Sequence, residues 1–242
     1  MSTSNPPAPA AQPKAKAESA SDKRRRLRDE YVTAVAELCT DKGIRADLRS
    51  GLGRPLEQCG RMHRWLAWRV PQDSFGERAP YAVASLIADR PRSVREAQTA
   101  RADAQAADAT GSAVDPAAVG PMPWTRRPNL GTSLALAVLA GMKEGTAESH
   151  LRLLTRQSFA SVHPRLPSLL QYVQDKDAAG QGAVDWAVLL DDLARWDLRR
   201  DEIATRWLQS FYRTLHTPRQ PAADPTGEHS PNFPETRESE AL

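Results

Sequence analysis

The stretch 185–215 reads DWAVLLDDLARWDLRRDEIATRWLQSFYRTL. Its large apolar residues recur with a helical period. Trp186, Leu189, Leu190, Leu193 and Trp196 follow i, i+3, i+4, i+7, i+10. Ile203, Trp207, Leu208, Phe211 and Leu215 follow i, i+4, i+5, i+8, i+12. Residues at such spacings share one side of an α-helix. Two amphipathic helices, each with a single apolar face, account for both runs. Such faces need one another or further helices to cover them, which predicts a helical bundle.

The same period extends outward towards the N-terminus. Leu166, Leu169, Leu170 and Val173 mark a helix just upstream. Leu151, Leu154 and Ser158 mark another, with Thr146 placed to cap it. Leu130, Leu134 and Val138 mark a third. Earlier still, Tyr81, Ala84, Ser85 and Ile87 suggest a helix with Pro80 in its first turn. Met62, Trp65, Leu66 and Val70 form another stripe, and Tyr31, Val35 and Leu38 sit on a first helix over about 22–42. No segment outside the linker alternates convincingly with period two. The predicted class is all-α: two helical bundles joined by a flexible linker, with disordered tails.

Proline draws the boundaries, because it is costly inside helices. Of 19 prolines, four lie in 1–21, five in 91–128 and five in 217–242. From Thr99 to Pro128 the chain is mostly Ala, Asp, Gly, Pro and Gln, with room for a short helix over Ser93–Asp108. The expected organisation is a disordered tail over 1–21, an N-terminal helical bundle over 22–91, a flexible insertion over 92–128, a C-terminal bundle over 129–216 and a disordered acidic tail over 217–242.

Composition narrows the function. Hydrophobic residues make up 40 % of 242, enough for a core, yet mean hydropathy is −0.57, as expected if part of the chain does not fold. The longest purely apolar run, Leu134–Ala140, falls far short of the ~18 residues a bilayer span needs. The N-terminus lacks the apolar segment of a signal peptide. Cys39 and Cys59 are too few for a disulfide framework and wrongly spaced for zinc. A cytoplasmic protein without membrane association is expected. Net charge is +3, and the tails carry +1 and −3, which leaves +5 on residues 22–216. Of 33 basic residues 27 are Arg, whose planar fork matches phosphate oxygens in pairs; an Arg-rich codon bias explains the ratio equally well.

No catalytic motif appears: no phosphate-binding glycine loop, no G-x-S-x-G elbow, no H-E-x-x-H pair. Asp191 and Asp192 are adjacent on a helix, so they diverge and do not make an acid–base pair; Asp192 is expected to pair with Arg195 at the surface. No two of His63, His150, His163, His216 and His229 are three or four apart, so no metal pair arises on one helical turn. His163, before Pro164, reads as a helix-start residue. No catalytic residue, metal site or cofactor is expected. Trp65, Trp186, Trp196, Trp207 and Phe211 lie on apolar stripes and are assigned to the core rather than to base stacking. Trp124, beside Arg126 and Arg127 in the proline-rich stretch, is the candidate for exposure.

The arginines show helical order. Arg45 and Arg49 are one turn apart, as are Arg152 and Arg156, and Arg195 and Arg199. Arg199, Arg206 and Arg213 recur every seven residues, on a face away from Trp207 and Phe211. Such stripes suit either a solvated surface or a polyanion.

Several segments, in their order, resemble the CasB-type small subunit of type I-E CRISPR Cascade complexes. They are Leu48-Arg49-Ser50-Gly51, Tyr81-Ala82-Val83-Ala84-Ser85-Leu86, Asn129-Leu130-Gly131-Thr132-Ser133-Leu134, Leu151-Arg152-Leu153-Leu154 through Phe159, Asp185 through Leu193 ending in Arg195-Trp196, and Arg206-Trp207 through Phe211-Tyr212-Arg213. The resemblance spans about 22–216 and leaves out the tails and the insertion. It implies a non-catalytic antiviral subunit that contacts the backbone filament, the large subunit and a second copy of itself. It also implies contact with crRNA and target DNA, where basic surfaces hold the displaced non-target strand and steady the R-loop without reading sequence. By position the resemblance marks Arg49, Arg78, Arg126, Arg127, Arg156 and Arg199 for nucleic acid. Helical spacing adds Arg45, Arg152, Arg200 and Arg206. Phe159 and Ser168 stand where relatives are basic, which implies a somewhat different route for the track. Two rivals stand beside this reading: a helical scaffold that binds only protein, and a helical enzyme whose site shows no convergent nucleophile, base or metal set.

Overall fold

A computed structural model describes residues 19–70, 77–91, 122–176 and 184–217. The helix expected within Ser93–Asp108 and most of both tails lie outside the described residues. Among those described, the chain is all-α, as the apolar stripes predict.

Helix α1 spans Ala20–Leu38 and starts at Ser19, whose hydroxyl accepts the Asp22 amide. The first helix, expected over about 22–42, is α1 and ends sooner, at Leu38; a second helix follows it. The Asp41 carboxylate accepts the Ile44 amide and so begins α2, Lys42–Arg49. A 3-10 turn at Leu56–Gln58 leads into α3, Gly60–Leu66. Helix α4, Arg78–Asp89, is buried at every residue from Ala79 to Ala88. A helix apolar all round belongs inside, and α4 packs on α1 and α2.

After a 3-10 turn at Trp124–Arg126 come α5 (Leu130–Leu139), α6 (Glu144–Thr155), the single turn α7 (Phe159–Val162) and α8 (Leu166–Lys176). Helix α6 begins at Lys143, not at Thr146, so the expected cap lies three residues inside the helix. A 3-10 turn at His163–Arg165, between α7 and α8, places His163 as expected of a helix-start residue. The two decisive stretches form α9, Trp186–Ala194, and α10, Trp196–His216.

Helix α9 touches α1, α4 and α10, so residues on both sides of 92–121 share a core. The longest packing seam joins α5 to α10. It requires Gly131: a Cβ there would stand 1.9 Å from the Trp207 carbonyl oxygen. Trp196, Trp207 and Phe211 are fully buried and Trp186 nearly so. The Trp196 and Trp207 rings meet at 4.8 Å. Among the described residues no helix is long and apolar enough to cross a membrane.

Candidate nucleic-acid interface

The clearest basic cavity lies between α2, the end of α4 and α8, with a volume of about 370 Å³. The i, i+4 spacing on α2 brings Arg45 and Arg49 to it together. Asp89 and Arg90 enter from α4, and Gln171 and Gln174 from α8. Arg49 Nε donates to Asp89 Oδ1 at 2.6 Å, yet its side chain stays 65 % exposed. The Arg90 guanidinium lies over the Trp186 ring at 5.6 Å. Guanidinium forks and amide donors around an open cleft suit phosphate oxygens.

The other candidate arginines distribute elsewhere. Arg127 is pinned: it donates to Asp185 through Nε at 2.5 Å and Nη2 at 2.9 Å, and through Nη1 to Asp29 at 2.7 Å. Asp185 in turn caps α9 by accepting the Ala187 and Val188 amides. Thus the end of the segment assigned to the insertion is tied to α1 and α9. The guanidiniums of Arg127, at 4.6 Å, and Arg25, at 5.7 Å, both lie over the Trp124 ring, which is only partly exposed. Arg126, beside it, projects to solvent.

Arg156 closes α6, and the neighbouring Gln157 carbonyl accepts Trp196 Nε1 at 2.9 Å, which brings it towards the start of α10. There Arg199 and Arg200 line a shallow depression with Ser158. Arg199 pairs with Glu202 and Arg200 with Asp201. Arg152 pairs with Glu148 at 2.7 Å and donates to the Tyr212 hydroxyl at 3.1 Å. Arg78 opens α4 and lines, with Arg54, Tyr81 and His163, a separate cavity of about 270 Å³.

Two sequence expectations are corrected. The backbone at Arg199 leaves the helical region (φ −134°, ψ 30°), so α10 is kinked there. The kink breaks the helical phase that was to align Arg199 with Arg206 and Arg213. Second, Asp191 and Asp192 are not at the surface; they are 2 % and 1 % exposed. Asp192 accepts Arg206 and, at 2.7 Å, the Trp207 indole N–H. Asp191 accepts Arg195 and Arg24, with Arg28 at 3.9 Å. Burial pushes the Asp192 carboxyl upward, against the opposing pull of Arg206 and Trp207. Four arginines from α1 and from the α9–α10 region therefore converge on two interior carboxylates. Arg24, Arg28 and Arg195 were not among the sequence candidates. The available signal was an acidic pair inside an apolar stripe, between Leu190 and Leu193.

All-helical among the described residues and with arginines around open clefts, the chain has the architecture of a basic helical protein. The family model for CRISPR-associated protein Cse2 matches residues 44–212, and the chain belongs to that family, as a CasB-type small subunit. A chain of a CRISPR RNA-guided surveillance complex is 34 % identical with a TM-score of 0.62, over 79 % of this chain and 95 % of its own length. A chain of such a complex in a pre-nicking state is 35 % identical with a TM-score of 0.62, over 79 % and 94 %. CasB from M. ruber, 20 % identical with a TM-score of 0.51 over 79 % and 94 %, shares the fold. No curated protein sequence matches the chain.

Proposed function

We propose that this protein is the non-catalytic small subunit of a crRNA-guided type I-E surveillance complex in antiviral defence. It works in the cytoplasm, apart from membranes. Its partners are the backbone filament, the large subunit, a second copy of itself, crRNA and target DNA. Its arginines hold nucleic-acid backbone irrespective of sequence and steady the displaced non-target strand, and with it the R-loop.

The observation that carries this reading is the 34 % identity to a surveillance-complex chain over 95 % of that chain. The Arg45–Arg49 cleft supplies a chemical basis, since phosphate contacts give affinity without sequence information. Fluorescence anisotropy with single-stranded DNA at two salt concentrations tests it. Affinity should fall steeply with salt, by ~0.7 in log K per log salt for each phosphate engaged.

A scaffold that binds only protein is favoured by one observation. Six of the ten candidate arginines (Arg49, Arg127, Arg152, Arg199, Arg200 and Arg206) already pair with carboxylates of the same chain. Salt-independent or absent strand binding would favour that reading.

A further inference from the structure

A second kind of surface lies on α3 and the turn after it, built from residues other than the ten candidate arginines. The run Arg61-Met62-His63-Arg64-Trp65-Leu66-Ala67-Trp68-Arg69 interleaves basic and aromatic residues. Met62 and Leu66 are buried, which fixes the helix on the core. Arg61, Arg64 and Trp65 follow i, i+3, i+4 and so share one side of α3, and Trp68 follows in the turn just beyond the helix end. Trp65 anchors that side: it packs against the core and donates from Nε1 to Asp47 Oδ2 at 3.1 Å. The Arg64 guanidinium lies over its ring at 5.0 Å.

Trp68 is different. It is 72 % exposed. The Arg69 guanidinium stacks on its ring at 3.6 Å, held there by donation from Nη1 to the Trp65 carbonyl at 3.2 Å. One face of the indole is thus covered by a fixed cation, and the rest is open. Among the described residues, neither Arg61, Arg64 nor Arg69 forms an ion pair with a carboxylate.

We propose that Trp68 is a stacking platform for an unpaired base of a single nucleic-acid strand, with Arg61 and Arg64 taking the adjoining phosphates. A polynucleotide offers a flat π-face and a negative charge in one repeating unit, and both are matched here. An apolar protein socket would bury the Trp68 ring but would also desolvate Arg69, for which the described residues supply no carboxylate. The inference rests on the proposed strand-binding function and adds base stacking to it.

The test compares the full chain with Trp68→Ala, Trp68→Phe and Arg64→Ala. The probe is oligothymidylate about 16 nucleotides long, the upper end of single-strand site sizes, together with an abasic strand of the same length. Trp68→Ala should weaken binding to oligothymidylate roughly 5- to 150-fold, the range expected for one stacked base. Its salt dependence should stay that of the wild type, because no phosphate contact is lost. Trp68→Phe should keep most of the affinity, and all Trp68 variants should match wild type on the abasic strand. Arg64→Ala should flatten the salt dependence by ~0.7. Wild-type strand binding with no loss in Trp68→Ala overturns the stacking platform and leaves the broader reading standing. If that variant then fails to enter the rebuilt complex, the strip is a protein contact. No binding by the wild type to either strand overturns both.

Discussion

Trp207 Nε1 donates to Asp192 Oδ2 at 2.7 Å, inside the protein, between a carboxylate on α9 and an indole on α10. The same carboxylate receives Arg206 from the preceding position on α10. One buried acid therefore fixes the register of the two helices whose apolar stripes define the fold. Removing one partner of a buried charge network costs about 3–5 kcal/mol, because the remaining partners lose their compensation. Asp192→Ala should lower stability to denaturant by that order, and Asp192→Asn, which keeps an acceptor, by less. Equal unfolding midpoints for wild type and Asp192→Ala would show that the pair does not lock α9 to α10.

The seam between α5 and α10 depends on the missing side chain at Gly131. A Cβ would collide with backbone atoms of Trp207, which have no freedom to step aside. Gly131→Ala should destabilise by at least the ~1–3 kcal/mol typical of overpacking. Gly145, also helical, has nothing within 4 Å of a Cβ. Gly145→Ala should be neutral or stabilising by up to ~1 kcal/mol, since glycine is a poor helix former. Thermal melts of the two variants should move in opposite directions or, at the least, differ clearly.

Arg126 and Arg127 are neighbours with different fates. Arg127 is bound to Asp29 and Asp185, whereas Arg126 faces solvent. Arg127→Ala should cost about 1–3 kcal/mol of stability through the hydrogen bonds it breaks and the acids it leaves behind. Arg126→Ala should leave the melt unchanged and reduce strand binding. Circular dichroism melts beside an anisotropy titration separate the two effects.

His163 is buried, stacked on Phe159 at 5.9 Å, and its Nε2 has no hydrogen-bond partner among the described residues. Burial lowers its pKa from the ordinary value of 6.5. In the window between that value and the lower folded one, the unfolded chain binds the proton and the folded chain does not. Stability is therefore full above pH 6.5 and declines as pH falls through the window. His163→Leu should flatten this part of the stability profile, measured by urea unfolding at a series of pH values.

The sequence made α9 and α10 legible because their stripes are long and built from Trp, Leu and Phe. It also placed Arg45 and Arg49 together, since i, i+4 spacing is a local property. Spacing names the side of a helix on which a residue lies but not what packs there. Helix α9 is covered by α1, α4 and α10, which leaves Asp191 and Asp192 no solvent side. The Arg127–Asp29 pair joins residues 98 apart in the chain, beyond any local pattern. Helix α2 has only eight residues, too few for a clear stripe, and its one signal was the cap at Asp41. The break at Arg199 involves neither Pro nor Gly, so nothing in the composition announced it.

The proposed role of the exposed arginines is to hold the displaced strand. The most direct measurement is R-loop stability in complexes rebuilt with Arg49→Ala, Arg156→Ala and Arg199→Ala combined, beside a melt of the isolated subunit. All three residues are exposed, and surface pairs such as Arg49–Asp89 are worth ~0–1 kcal/mol, so the melt should barely move. The predicted result is a less stable R-loop whose salt dependence is flatter by ~0.7 for each phosphate contact removed, with sequence preference unaltered. Unchanged R-loop stability in fully assembled complexes would contradict the claim and leave the protein-only scaffold as the better account.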